Sequence, residues 1–333
     1  MKPRLTDAGR VLVRILGLLL LASPRVLVAQ SDELSGSSSA TEAASFLLIP
    51  LGARNIGFGG AMAGSRGDVE GTLWNPASVA GVEDWAVFYH GSNDFGTSTH
   101  AVGGVFGAGD MRIGISILNL NLGSIDGRDE SNQPTGEIQI DNTLGIITIA
   151  RSISSVVDIG GSYKFIRIGG SCPGCGGAEP DASGHAFDAA VIVRPPALDG
   201  LRIGLVVSNL GPNLGFDADG ARSPLPSRIR VGAEADVLRG RDGGRLDLVA
   251  RADLRQTLSE FDQLDVLAGA ELGYAQLAYL RVGFSAGVEG RTGPALGLGI
   301  RYEGIMLDIG RSFDDFSDFD TDSPFQVSVS YQP

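Results

Sequence analysis

The chain has 333 residues, 43% of them hydrophobic and 20% charged, which excludes a disordered polymer and leaves room for one large domain or two ordinary ones. Glycine is in excess at 49 residues, roughly twice its usual share, without the period or proline content of collagen, and glycine this dense disfavours long soluble helices. The formal charge is −13 at pH 7 and the only lysines are Lys2 and Lys164, so the basic surface of a nucleic-acid binder is missing and nucleic acid is not expected as a partner.

Residues 1–29 carry Lys2, Arg4, Arg10 and Arg14, an apolar stretch over 11–21, then Pro24 and the small Ala29. That tripartite order predicts a cleaved secretory signal peptide and export. The apolar stretch is short of the ~20 residues of a membrane-spanning helix, and no cysteine follows it to carry a lipid anchor. No later apolar run reaches about 18 residues, so the remaining way to cross a bilayer is a closed barrel of strands.

Residues 30–45 are polar and read as a leader. Residues 46–83 differ from everything after them: glycines at 52, 57, 59, 60, 64, 67 and 71 let backbone pack closely, and Asn75-Pro76 is a turn-forming pair. A phosphate loop at Gly57–Gly60 would need a preceding strand and a following Lys-Ser/Thr, and neither is present. The segment is expected to be an N-terminal hatch inside a barrel formed by residues 84–333.

From residue 84 onward apolar residues fall at every second position, the period of a strand with two unlike faces. Leu201, Ile203, Leu205 and Val207 alternate with Arg202, Gly204, Val206 and Ser208; Leu296, Leu298, Ile300 and Tyr302 do the same against Gly297, Gly299, Arg301 and Glu303. Fourteen such segments are predicted, at 84–90, 99–107, 111–122, 138–151, 156–168, 184–194, 201–210, 227–237, 245–255, 264–274, 277–285, 294–302, 305–312 and 324–332. Tight connections such as 107–110, 275–276 and 303–304 alternate with mostly longer, polar ones, including 91–98, 123–137, 169–183 and 313–323. An even-stranded outer-membrane barrel has that rhythm, with short periplasmic turns and long extracellular loops. A soluble β-sandwich also alternates, but it does not explain glycine and charges of both signs at mid-strand on the polar face, as an enclosed wet lumen does. The last segment, with Tyr331 near the C-terminus, resembles the closing strand recognised by barrel-insertion machinery. The expected fold is therefore all-β: a transmembrane antiparallel β-barrel of about 14 strands with the hatch in its lumen.

Inward charges, among them Arg112, Lys164, Arg202, Arg230, Glu234, Asp247, Arg251, Asp253, Arg281, Arg301 and Asp308, read as a paired ladder holding the barrel's shape, with a substrate path as the sharper alternative. Cys172 and Cys175 are expected to form a local disulfide in an extracellular loop, since exported cysteines meet an oxidising compartment. The acidic run 314–322 offers Asp318, Asp320 and Asp322 as a weak Ca²⁺ candidate, but it lacks EF-hand spacing and reads first as an acidic loop. Gly283-Phe284-Ser285-Ala286-Gly287 fits a nucleophile-elbow pattern without the strand-to-helix turn that motif needs. His90, His100 and His185 fall toward the outer ends of strands, as solvated rim residues or, less favoured, a rim cluster. No enzyme and no cofactor is expected.

Three motifs stand in order within 46–83: Gly52-Ala53-Arg54, Gly59-Gly60-Ala61 and Trp74-Asn75-Pro76-Ala77. The segment resembles the N-terminal signature of the PorV/PorQ family, relatives of the FadL-type long-chain fatty-acid transporters, whose barrels also have fourteen strands. The family usually follows its last motif with Gly and Leu, where this chain has Ser78 and Val79. The resemblance implies residence in the bacterial outer membrane, in contact with its lipid. It also implies a role in type IX secretion, receiving the C-terminal domain of a secreted cargo for cell-surface attachment, with secretion-complex proteins as partners. The FadL relationship implies instead hatch-gated passage of a hydrophobic ligand; a structural barrel without transport is the third reading. Transport of that kind predicts an apolar pocket between hatch and wall. The inward positions, mostly Gly, Ser, Arg and Asp, argue against a greasy pocket unless hatch residues such as Phe58 and Met62 supply one.

Overall fold

The computed structural model describes residues 42–94, 97–128, 131–171, 181–215, 222–239, 245–258, 264–287, 292–313 and 325–333. The strands are, in chain order, β1 (Trp85–Asp94), β2 (Thr97–Ala108), β3 (Met111–Arg128), β4 (Pro134–Ser152), β5 (Val157–Ser171), β6 (Ala182–Val193), β7 (Leu201–Leu210), β8 (Leu214–Gly215), β9 (Arg222–Ser223), β10 (Arg228–Leu238), β11 (Leu246–Thr257), β12 (Leu264–Tyr274), β13 (Ala278–Ala286), β14 (Gly293–Tyr302), β15 (Ile305–Ser312) and β16 (Gln326–Tyr331). β8 and β9 form a small hairpin within one connection. The other fourteen pair antiparallel with their neighbours, and β1 pairs with β16 to close the ring. Each of the fourteen predicted segments coincides with one wall strand.

The alternation settles which face each residue takes. On β7, Ile203 and Leu205 are exposed on the outside while Val206 is buried within; Leu298 and Ile300 on β14 point outward at 59% and 61% exposure. Val102, Ile115, Ile117 and Ile147 continue this apolar belt around the wall. In water such a belt would be an aggregation surface; around a ring of strands with no free edge it is the lipid-facing surface of a membrane barrel. Aromatic residues mark the tight-turn end, with Trp85 and Tyr331 packed at a ring separation of 5.4 Å and Phe106, Tyr274 and Tyr302 exposed on β2, β12 and β14. No helix among the described residues is long and apolar enough to span a membrane.

Two predicted connections are corrected. The stretch 91–98 is mostly strand, because β1 and β2 stay paired up to Asp94 and Thr97, so the first connection at the long-loop end is a tight one. The stretch 123–137 is also largely strand. Gly123, at φ 72 with its N–H bonded to the Asn121 side chain at 2.7 Å, makes a bulge and not a turn, and β3 and β4 continue past it to lengths of 18 and 19 residues. The signal peptide, residues 1–29, lies outside the described residues, as do Cys172, Cys175, Asp318, Asp320 and Asp322.

Candidate functional site

Residues 42–84 lie within the ring. They fold as a 3-10 turn at Ser45–Leu48, a short helix at Ala53–Gly57 and 3-10 turns at Val69–Leu73 and Pro76–Gly81. The helix sits against β13 to β16, and the two later turns sit against β1 to β6.

The three motifs have distinct tasks. Gly52 takes φ 92, and a Cβ there would come within 2.6 Å of a Glu70 carboxylate oxygen and 3.0 Å of the Trp74 ring. It starts the helix whose first amide, Ala53 N–H, donates to Ser328 Oγ on β16 at 3.0 Å. Arg54 reaches Asp68 at 3.4 Å and Glu271 on β12 at 3.7 Å. Burial opposes its charge, but these carboxylates outweigh that and raise its pKa. Gly59 rests on β13, and the Gly60 carbonyl accepts from Arg230 at 3.0 Å. Ala61 and Ala77 are fully buried. Asn75 caps the last turn by accepting from Ala77 N–H at 2.9 Å, and its amide donates to the Ala63 carbonyl at 2.7 Å, with Pro76 at the first helical position. Trp74 lines the cavity described below.

Wall glycines receive this hatch. A Cβ on Gly204 would fall on the Ala63 carbonyl, one on Gly283 on the Gly59 nitrogen, and one on Gly160 on the Pro76 carbonyl group. These wall glycines thus make a fitted contact of backbone against backbone. Gly283 and Ser285 belong to β13, inside that contact and beside the cavity, and no elbow forms there.

Inward charges hold the hatch as well as one another. Asp253 accepts from Met62 N–H at 2.8 Å and Ala63 N–H at 2.9 Å, and Arg112 donates to the Val82 carbonyl at 2.6 Å. Arg202 and Arg251 share Glu234, each at 2.5 Å; Arg281, fully buried, pairs with Glu271 at 2.6 Å and Asp308 at 2.5 Å. At the tight-turn end Asp158 joins Arg66 of the hatch to Arg194 of the wall, both at 2.8 Å. Most of the predicted ladder is therefore brought together, with the hatch as a third partner that the sequence did not reveal. Arg301 is the exception, exposed beside the last tight turn.

Above this contact, toward the long-loop end, a cavity of about 510 Å³ separates hatch from wall. Phe46, Leu118, Leu144, Ile146, Val206 and Leu267 give it an apolar lining. Around them stand three ion pairs: Lys164 with Asp188 at 2.6 Å, Arg228 with Glu42 at 2.8 Å, and Arg255 with Asp265 at 2.5 Å. The expectation of a non-greasy lumen is corrected. Phe58 and Met62 do not line this space; they are wholly buried against Arg251, whose guanidinium lies 3.8 Å from the Phe58 ring centre. The apolar lining comes from β3, β4, β7 and β12 of the wall and from other residues of the hatch, Phe46–Leu51, Ile56, Leu73 and Trp74. The signal was the loss of alternation in β3 and β4, where Ile117 and Leu118, and Ile146 and Ile147, are adjacent: Ile117 and Ile147 stay on the outer belt while Leu118 and Ile146 give the inner face an apolar surface.

The histidines do not converge. His90 points inward, fully buried, 3.2 Å from Ser328 Oγ. His100 and His185 lie on the outer wall against the hydroxyls of Tyr89 and Tyr163. Among the described residues no His/Cys/Asp/Glu group is arranged to hold a metal.

One hatch acid is tuned. Burial first, then the adjacent Asp68 carboxylate, push the Glu70 carboxyl up to about 8, against the pull of Ser328 and Arg54. A hatch that binds this proton more tightly seated than released is favoured below the ordinary carboxylate range and loses that advantage as pH rises from 4.5 through about 8. In planar bilayers the open probability should therefore rise between pH 5.5 and 8.5, and Glu70→Gln should flatten that response; a wild-type conductance independent of pH would refute it.

Among solved structures, the chain superposes on the Ralstonia pickettii toluene transporter TbuX (TM-score 0.55, 14% identity, covering 84% of this chain and 97% of that one). It superposes equally on the P. putida toluene transporter TodX (0.57, 12%, 85% and 98%). A third match is a Pseudomonas aeruginosa FadL homologue (0.52, 12%, 85% and 99%). At these identities the likeness is one of fold. No family model and no curated protein matches the sequence.

Proposed function

We propose that this protein is an outer-membrane channel for hydrophobic small molecules, of the FadL type. The cavity carries the reading: it is apolar where a hydrocarbon would lie, ringed by charged pairs, and bounded on one side by a hatch and not by a continuous wall. The barrels it resembles in fold include proteins described as toluene transporters, which makes hydrocarbon passage the function to test first. The same likeness favours transport over catalysis and an outer-membrane location over any other.

Filling the cavity tests the proposal without touching the ion pairs. Ala295 lines it from β14 and is buried. Ala295→Trp should cut uptake of labelled toluene and of laurate at least about tenfold, the effect of losing roughly 1.4 kcal/mol of binding, while the barrel keeps its heat-modifiable migration on gels. Uptake equal to wild type for both probes would sink the reading.

The second reading is a PorV-like role in type IX secretion. It is favoured by the three hatch motifs, Gly52-Ala53-Arg54, Gly59-Gly60-Ala61 and Trp74-Asn75-Pro76-Ala77, and predicts a secreted polypeptide with a β-rich C-terminal domain that co-purifies from native membranes. A lipid-sized molecule co-purifying alone would favour the channel.

A further inference from the structure

The outer wall carries a feature that transport does not use. Sheet register lines up three outward rows across β2 to β6. The first is Gly104, Ile115, Ile147, Tyr163 and Phe187; the next is Val102, Ile117, Gly145, Phe165 and His185. The third, one pleat nearer the long-loop end, is His100, Asn119, Thr143, Arg167 and Ser183, where polar side chains replace apolar ones.

Gly145 is a pit in this surface. A Cβ there would find no heavy atom within 4 Å, although Ile117, Ile147 and Phe165 around it are 54%, 50% and 42% exposed. Beside the pit four rings are locked together. Tyr163 stacks on His185 at 5.6 Å and meets Phe187 at 5.5 Å, Phe165 meets His185 at 5.6 Å, and the Tyr163 hydroxyl bonds His185 Nδ1 at 2.5 Å. Directly above Phe165 on the same strand stands Arg167, exposed. Asp181 stands on the same side: a Cβ on Gly169 would lie 3.4 Å from its carboxylate oxygen and 4.0 Å from Arg167 Nε. Ten residues of tilted strand separate Val157 from Arg167, about 25 Å of height, which is the span of an apolar belt. The guanidinium therefore sits at the headgroup margin of the outer leaflet, exposed.

We propose that this face binds a phosphate-bearing glycolipid of the outer leaflet, with an acyl chain in the pit over Gly145 and a phosphate on Arg167. A guanidinium fits two phosphate oxygens at once, and the rigid rings hold the acyl chain's path without a further loss of side-chain freedom. The inference rests on the membrane placement proposed above and is independent of what passes through the lumen.

Native mass spectrometry of the full mature chain in detergent, titrated with bis-phosphorylated lipid A, dephosphorylated lipid A or phosphatidylethanolamine, tests it. Bis-phosphorylated lipid A should remain bound under activation, and Arg167→Gln should lower the bound fraction about tenfold, the scale of one charge-assisted hydrogen bond. Gly145→Leu, which fills the pit and keeps the arginine, should do the same, while toluene uptake is unchanged in both. Equal binding by Arg167→Gln, or by the dephosphorylated lipid, overturns the site; equal binding of phosphatidylethanolamine overturns the glycolipid assignment. A chain that does not enter bilayers at all overturns the membrane placement, and this proposal with it.

Discussion

Gly204→Val should convert a closed barrel into a conducting one. The added side chain has no space, because its first carbon would occupy the position of the Ala63 carbonyl, and both neighbours are backbone, which cannot rotate aside. Overpacking of this kind costs about 3 kcal/mol or more. Ala63 cannot move alone. Its amide and that of Met62 are held by Asp253, and its carbonyl accepts from Asn75, so displacing it strips the hatch of three buried hydrogen bonds and leaves Asp253 facing Arg230 at 3.7 Å. Planar-bilayer recordings should show stepwise openings over a closed baseline. Leu205→Val, the adjacent outward residue, should leave the baseline closed. Silent membranes for both variants, with Gly204→Val correctly folded, would mean that the hatch does not block the lumen.

Arg281→Met should be the most destabilising single change in the wall. Arg281 is wholly buried between Glu271 and Asp308, and removing one member of a buried ionic group leaves the others uncompensated, a loss of ~3–5 kcal/mol. Arg54 still reaches Glu271 at 3.7 Å, but Asp308 has no second partner of that quality among the described residues. The midpoint of heat-induced unfolding on gels should fall markedly. Neutralising both carboxylates in the triple variant Arg281→Met, Glu271→Gln, Asp308→Asn should restore much of it, since the damage comes from stranded charge and not from the lost volume. A triple variant no more stable than the single would show that the arginine acts by packing.

The wall was legible because its two solvents differ. A lipid face and an inner face force period two, and Leu201–Leu205 displays it residue by residue, so fourteen strands emerge with most of their ends nearly right. Ends failed where turn-forming residues were absorbed by sheet: Gly123 bends β3 without ending it, and Gly91 stays paired with both neighbours. The site was less legible. Leu118, Leu144 and Ile146 break the alternation, a departure that marks a buried inner face only once a hatch is known to stand behind them. Glycines at 160, 204 and 283 carry no side-chain signal at all; their meaning depends on Pro76, Ala63 and Gly59, distant in sequence. The hatch motifs were recognisable as a pattern, yet the pattern alone did not say that Asn75 ties two parts of the hatch together or that Ala53 touches the final strand.

That last contact constrains the order in which the protein can be built. Ser328 receives the amide of Ala53 across 275 residues and at the same time faces His90 of the first wall strand. Contacts this far apart form late and slowly. A chain that enters the membrane from its N-terminus presents the hatch before any enclosure exists, and the last element to arrive completes the seam and the hatch's anchorage in one step. Truncation before Gln326 should therefore yield not an open pore but a chain with neither seam nor anchored hatch, arrested on the insertion machinery.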